Sequence, residues 1–218
     1  MDKHPNSVLL TTSYFGSIQY YSKIAGYSNI IIETHENYQK QSFRNRCQIL
    51  TANGVMPLTV PVVRPNGNHT PIQDVLVDYA TNWQRIHFKA IESAYRTAAY
   101  YEHYIEEIIP LFEQKERFLL DLNIKAHKAV MGILGISKGF TVTSKFEPTI
   151  ANSIDDYRYS IHPKQQKHDN DDNFCAVSYF QVFSDRFPFV ANLSIIDLVM
   201  NLGPDSYSIL GSSILAQK

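Results

Sequence analysis

A buried strand, a short amphipathic helix and a second buried strand within the first 33 residues restrict the fold of this chain more than any other feature. Residues 7–12 are apolar and β-branched, with Val8, Leu9 and Leu10 in a row, the pattern of a strand covered on both faces. Residues 17–25 carry Ile18, Tyr21 and Ile24 or Ala25 at helical spacing, and Gly26 stands where such a helix stops. Residues 29–33, with three isoleucines in succession, form the second strand. Strands joined through a helix run parallel, although this connection is near the minimum length for one. The unit is the nucleus of an α/β domain.

Residues 47–50 and 58–63 read as hairpin strands joined through Ala52, Asn53 and Gly54, whose Asn-Gly pair is a turn signal. Residues 64–69 are a polar loop, and 74–78 alternate as a further strand. Three helical stripes follow. The first runs through Trp83, Ile86, His87, Ala90, Ile91 and Ala94, with Thr81 and Gln84 spaced as a capping box. The second runs from Tyr101 through Tyr104, Ile105 and Ile108 to the breaker Pro110. The third runs from Leu119 through Leu122, Asn123, Ala126 and Val130 to Gly135. Residues 140–144, 157–161 and 177–183 suit strands, 167–173 is a polar loop, and Ser194 with Asp197 opens a last short helix. The expectation is a single α/β domain over residues 1–218. Its mixed β-sheet has a parallel N-terminal core covered by the amphipathic helices between residues 82 and 135.

Composition narrows the function classes. The chain has 218 residues, 44% hydrophobic and 19% charged, enough to bury a full core. Twenty cationic side chains against 21 acidic ones leave a net charge of −1, which removes the usual electrostatic case for nucleic acid. No apolar run approaches the roughly 18 residues of a membrane helix, so no membrane insertion is expected. The first ten residues have no long apolar stretch behind their lysine and do not read as a secretory signal. Cys47 and Cys175 make neither a disulfide framework nor a four-ligand zinc site. A cytoplasmic protein is expected. Fourteen tyrosines and 12 phenylalanines suit either a tyrosine-rich core or a cleft whose rings stack on a sugar or base.

The stretch 33–46 is the richest in chemistry. It leaves the second strand, where open α/β sheets put ligand-binding loops, and holds Glu33, His35, Glu36, Lys40, Arg44 and Arg46. Cations with several donors suit a phosphate or carboxylate, and a carboxylate beside a histidine suits proton transfer. The plainer alternative is a solvated loop. His87, on the inner stripe of its helix, is either a titrating group or a core histidine with its partners satisfied. Asn123 raises the same question. Zinc-ligand spacing, a calcium loop, a glycine-rich phosphate loop and a nucleophile elbow are all absent, so no metal ligands are assigned and no cofactor is named.

The ordered series Tyr14-Phe15-Gly16-Ser17, Tyr38-Gln39-Lys40, Asn45-Arg46, Ala52-Asn53-Gly54, Asp74-Val75, Trp83 and His87, resumed at Leu193-Ser194 and Asn201-Leu202-Gly203, resembles the WbqC-like family. The resemblance spans nearly the whole chain, and the form of residues 33–47 is similar to the branch common in Bacteroidetes-type bacteria. It implies a transferase moving an acyl or aminoacyl group to a sugar or nucleotide-linked sugar in surface-polysaccharide (O-antigen) synthesis. The alternative is a non-catalytic ligand-binding or scaffold protein of the same pathway. Many family members carry His-Gln-Pro after the first strand, where this chain has Leu10, Thr11 and Thr12.

Residue chemistry and resemblance together place Tyr14, Lys40, Asn45, Arg46 and His87 in one cleft at the strand ends, with His35 and Glu33 close by. His87, His35 and Glu33 are the candidate catalytic groups, and Tyr14, Lys40, Asn45 and Arg46 the candidate ligand-binding ones. The expected partner is an anionic small molecule or sugar. In the rival arrangement Arg46 pairs with Glu33 or Asp74, and His87 fills the core.

Overall fold

The computed structural model describes residues 6–163 and 171–215. Strand β1 (Ser7–Thr11) lies parallel to β2 (Asn29–Glu33), Leu9 opposite Ile31 and Thr11 opposite Glu33, and α1 (Ile18–Gly26) makes the crossover. Ser17 caps α1 by accepting the Tyr20 amide. The short connection works because α1 packs directly on β1.

The hairpin β3 (Arg46–Thr51) and β4 (Gly54–Thr59) is tighter than the sequence suggests: only Ala52 and Asn53 separate the strands, and Gly54 supplies the positive φ of +99°. Pro57 is tolerated because β4 is an edge strand. A second antiparallel ribbon joins β5 (Val62–Val63) to β6 (Leu76–Val77). The strand expected over 74–78 is therefore only two residues long, because Ile72–Asp74 turns as a 3₁₀-helix.

The three stripes form α2 (Trp83–Tyr95), α3 (Tyr101–Ile108) continued past Pro110 as α4 (Pro110–Glu113), and α5 (Leu119–Ile133). The expected capping box does not form. Asn82 is the N-cap of α2 and makes no side-chain bond, while the Gln84 amide donates to the carbonyls of Leu111 and Gln114 and ties α2 to α4.

Strands β7 (Phe140–Val142) and β8 (Ile154–Asp156) complete a four-stranded parallel sheet of order β7-β2-β1-β8. The strand expected over 157–161 lies earlier. After Tyr157 bonds to the Leu9 carbonyl, the Arg158 side chain folds back on Asp156 and the chain turns away. Residues 177–183 form no strand. The Gln181 side-chain amide instead pairs with both backbone groups of Val190. Helices α6 (Ile195–Leu202), capped by Ser194, and α7 (Ser206–Ser212) close the fold behind α1. The polar loop 167–173 falls mostly outside the described residues.

The α/β fold with a parallel N-terminal core is thus present, its antiparallel pairs standing beside the sheet as separate ribbons. One face of the sheet, through Val8, Leu10, Ile30 and Ile32, enters the core. The other, through Leu9, Ile31, Thr141 and Ile154, floors an open cavity of about 320 Å³. No helix among the described residues is long and apolar enough to cross a membrane.

Candidate functional site

Glu33 ends β2 at the C-terminal edge of the parallel sheet, the edge at which such sheets bind ligands. Its carboxylate is fully buried. Oε2 pairs with Arg158 Nη1 at 3.1 Å, while Oε1 accepts the His35 amide at 2.7 Å and the Thr143 hydroxyl at 2.8 Å. Arg158, also without exposed surface, reaches Asp156 Oδ2 at 2.7 Å and the Glu147 carbonyl at 2.9 Å. A buried charge set of this kind is tolerated only when its polar atoms are paired, as these are.

His35 is held by that network. Its Nδ1 lies 3.3 Å from Thr143 Oγ1 and 3.2 Å from Thr34 Oγ1, and its Nε2 lies 3.1 Å from the Gln73 amide nitrogen. Thr143 gives its proton to Glu33, and the Gln73 amide can only donate. The consistent tautomer therefore carries the proton on Nδ1, and the Nε2 lone pair accepts from the exposed Gln73 amide. A carboxylate, a hydroxyl and an imidazole stand in a line.

The loop after His35 is pinned from beneath. Arg44 grips Glu36 through Nε (2.7 Å) and Nη2 (2.5 Å), and the Asn123 amide donates to the Arg44 carbonyl at 2.7 Å. Burial pushes the Glu36 carboxyl up, with Arg44 opposing. The polar position on the α5 stripe is explained: Asn123 holds this loop.

Above the charges lies a cleft of about 290 Å³ lined by His35, Glu36, Tyr38, Asn68, Phe146 and Tyr159 among others. Phe146 and Tyr159 are 40% and 48% exposed, yet their rings sit 5.2 and 5.7 Å from the Arg158 guanidinium, which fixes them from below. Rings placed so, beside amides and a histidine, suit a sugar or a base.

The expected residues fall into two groups. Glu33 and His35 meet at this edge. Tyr14 and His87 instead form a buried pair, the Tyr14 hydroxyl 3.0 Å from His87 Nδ1, wedged against Trp83. The Thr59 backbone engages the His87 ring as well, and burial lowers its pKa to about 4. His87 is thus neutral and lines neither this cleft nor the cavity on the open sheet face. Asn45 is buried, its amide donating to the Val60 carbonyl at 2.8 Å. Lys40 is exposed in the loop and makes no ion pair among the described residues. Arg46 makes none either, so its expected rival partners, Glu33 and Asp74, do not hold it.

Thr143, Phe146, Arg158 and Tyr159 were not legible as site residues. They reach the edge only because β7 and β8 join the sheet on opposite sides of β1 and β2. The one local signal is an acid, Asp156, two residues before Arg158, close enough in sequence to pair as they do. Among the described residues no group of three or more His, Cys, Asp or Glu side chains could hold a metal ion.

No solved structure matches the chain. The Mycobacterium tuberculosis (strain ATCC 25618 / H37Rv) protein Rv1507c, itself uncharacterised, is 31% identical over 130 residues, 59% of this chain and 56% of the relative. The match thus spans little more than half of that relative's length. The sequence model of the WbqC-like protein family matches residues 12–209, from the residue after β1 through β2 to β8 and α1 to α6, and the chain belongs to that family.

Proposed function

We propose that the protein is a cytoplasmic transferase that moves an acyl or aminoacyl group onto a sugar or nucleotide-linked sugar in surface-polysaccharide (O-antigen) synthesis. The observation that carries this reading is the Glu33–Thr143–His35 line ending at a ring-lined cleft. The sugar lies against Phe146 and Tyr159, and its attacking hydroxyl or amine faces His35. The substrate displaces the exposed Gln73 amide from Nε2, which then takes the proton as the new bond to the acyl carbon forms. The bond from that carbon to the donor breaks, and the proton passes to the departing group. Glu33 stabilises the imidazolium through Thr143.

A second reading, a binding protein without turnover, draws on the fact that Glu33 and Glu36 are each committed to an arginine. Cys47 is no nucleophile, since burial raises its thiol to about 12. A thermal-shift screen over nucleotide sugars and acyl donors, followed by product assay, separates the two. Turnover lost in His35→Gln with binding retained supports the transferase. Binding without turnover in the wild type supports the second reading.

A further inference from the structure

The connection from β7 to β8 departs from the usual form of a parallel crossover. The two strands lie at opposite edges of the sheet and both run parallel to its middle strands. Residues 143–153 must therefore return across β2 and β1 from one end of the sheet to the other. Such crossovers are normally helices that cover a sheet face. Here the segment holds neither helix nor strand and runs as a strap over the face that carries Leu9, Ile31 and Thr141. The cavity of about 320 Å³ lies between strap and sheet. Ligand pockets occupy about 300–1,000 Å³, so this one suits a small group.

The strap also divides the cavity from the aromatic cleft. Lys145 and Glu147 line the cavity, and Phe146 between them lines the cleft, as alternate residues of an extended chain do. Arg158 Nη1 holds the Glu147 carbonyl at 2.9 Å, and Thr143 at the start of the strap bonds to Glu33. Glu33 and Thr143 both line the cavity, while His35, 3.3 Å from Thr143, lines the cleft. The two hollows meet at the carboxylate–hydroxyl–imidazole line.

The cavity is apolar in what it leaves free. Leu9, 2% exposed, lies on its wall with Ile31, Ile150 and Ile154. Its charged groups are engaged already, Glu33 with Arg158 and Lys145 with Glu147. The Thr141 and Thr143 hydroxyls are given to the Ile30 carbonyl and to Glu33. An ammonium or phosphate entering here finds no unspent counter-charge, whereas aliphatic carbon gains by leaving water.

We infer that the cavity under the strap receives an aliphatic acyl group, so that the donor carries an uncharged acyl chain and not an aminoacyl one. The inference rests on the transferase reading above and assigns the second substrate of that reaction. The chain lies on Leu9, Ile31, Ile150 and Ile154, its carbonyl end toward the cleft, and the sugar stays on the Phe146 side of the strap.

Methyl-detected nuclear magnetic resonance of the full chain, labelled at leucine and isoleucine, tests this with hexanamide and glycinamide as uncharged acyl and aminoacyl probes. Hexanamide should shift the methyls of Leu9, Ile31, Ile150 and Ile154, and glycinamide should not. Thr141→Trp and Ser144→Trp, at two exposed positions of the cavity wall, each fill the space and should weaken hexanamide at least about tenfold. Binding of a methyl glycoside should survive both changes. Ile86→Trp, on the exposed side of α2 and outside the cavity wall, should alter neither ligand. Melting temperatures identify folded variants, and either filling variant suffices. Silent methyls, hexanamide binding that survives a folded filling variant, or equal binding of glycinamide overturns the acyl pocket. Transfer to a sugar by a protein whose cavity stays silent overturns the pocket and leaves the transferase reading standing. Hexanamide bound in the cavity of a protein that transfers no acyl group keeps the pocket and removes that reading.

Discussion

The Thr143 hydroxyl donates to Glu33 Oε1 at 2.8 Å, joining the residue just beyond β7 to the last residue of β2. The same oxygen accepts the Thr34 amide at 3.1 Å and faces His35 Nδ1. One hydroxyl therefore completes the strand edge and orients the histidine. Thr143→Val should cost about 1–2 kcal/mol of stability, the penalty of a buried carboxylate losing a donor. It should also free the His35 ring. Urea denaturation reads the first effect, and nitrogen chemical shifts of the imidazole read the second.

Glu36 and Arg44 form a buried bidentate pair beneath the cleft. Removing one partner leaves an uncompensated buried charge, so Arg44→Met alone should cost about 3–5 kcal/mol. The double change Glu36→Leu with Arg44→Met should cost clearly less than the two single changes added. A double-mutant cycle by chemical denaturation checks this, and additive losses would mean the pair is not coupled.

His87 is held neutral, its pKa lowered to about 4 by burial. Its unfolded value is higher, so between about pH 6.5 and pH 4 the unfolded chain binds the additional proton and stability falls with pH. The buried Glu36 and Asp197 carboxyls are raised and act in the opposite direction over part of that range. His127, also lowered to about 4, adds to the His87 effect. Comparing wild type with His87→Gln cancels these shared contributions. Any stability advantage of the wild type at pH 7 should shrink on acidification, by at most about 3 kcal/mol. A constant difference would mean that His87 titrates normally.

Gly203 follows α6 with φ of +55°, and a Cβ there would lie 2.4 Å from the Tyr100 ring. Gly203→Ala combines an unfavourable backbone with a clash against a packed aromatic, so a loss of about 2 kcal/mol or more is expected by thermal or chemical denaturation.

The fold was readable where periodicity and a covalent neighbour agree. The β1–α1–β2 unit is local, and its apolar runs have one arrangement. Ser194 caps α6 as its spacing indicates. Strands β7 and β8 are three residues each and are defined by pairing with β2 and β1, partners more than 100 residues away in sequence, so their limits do not show in local pattern. Residues 177–183 alternate like a strand but find only a side-chain amide as partner. For the site, Glu33 and His35 were legible because they follow a buried strand. Arg158 and Thr143 were not, because no local spacing records which strands become neighbours. His87 carries the residue type of an acid–base group, and its burial against Tyr14 and Trp83 gives it the role of a satisfied core histidine.

The central claim is that ligand binds at the C-terminal edge of the parallel sheet. The direct measurement is nuclear magnetic resonance of the histidine and aromatic side chains during titration with a nucleotide-linked hexose. The account predicts shifts concentrated at His35, Phe146 and Tyr159, with His87 and Tyr14 unmoved. Shifts centred on His87 and Tyr14 with the cleft silent would contradict it.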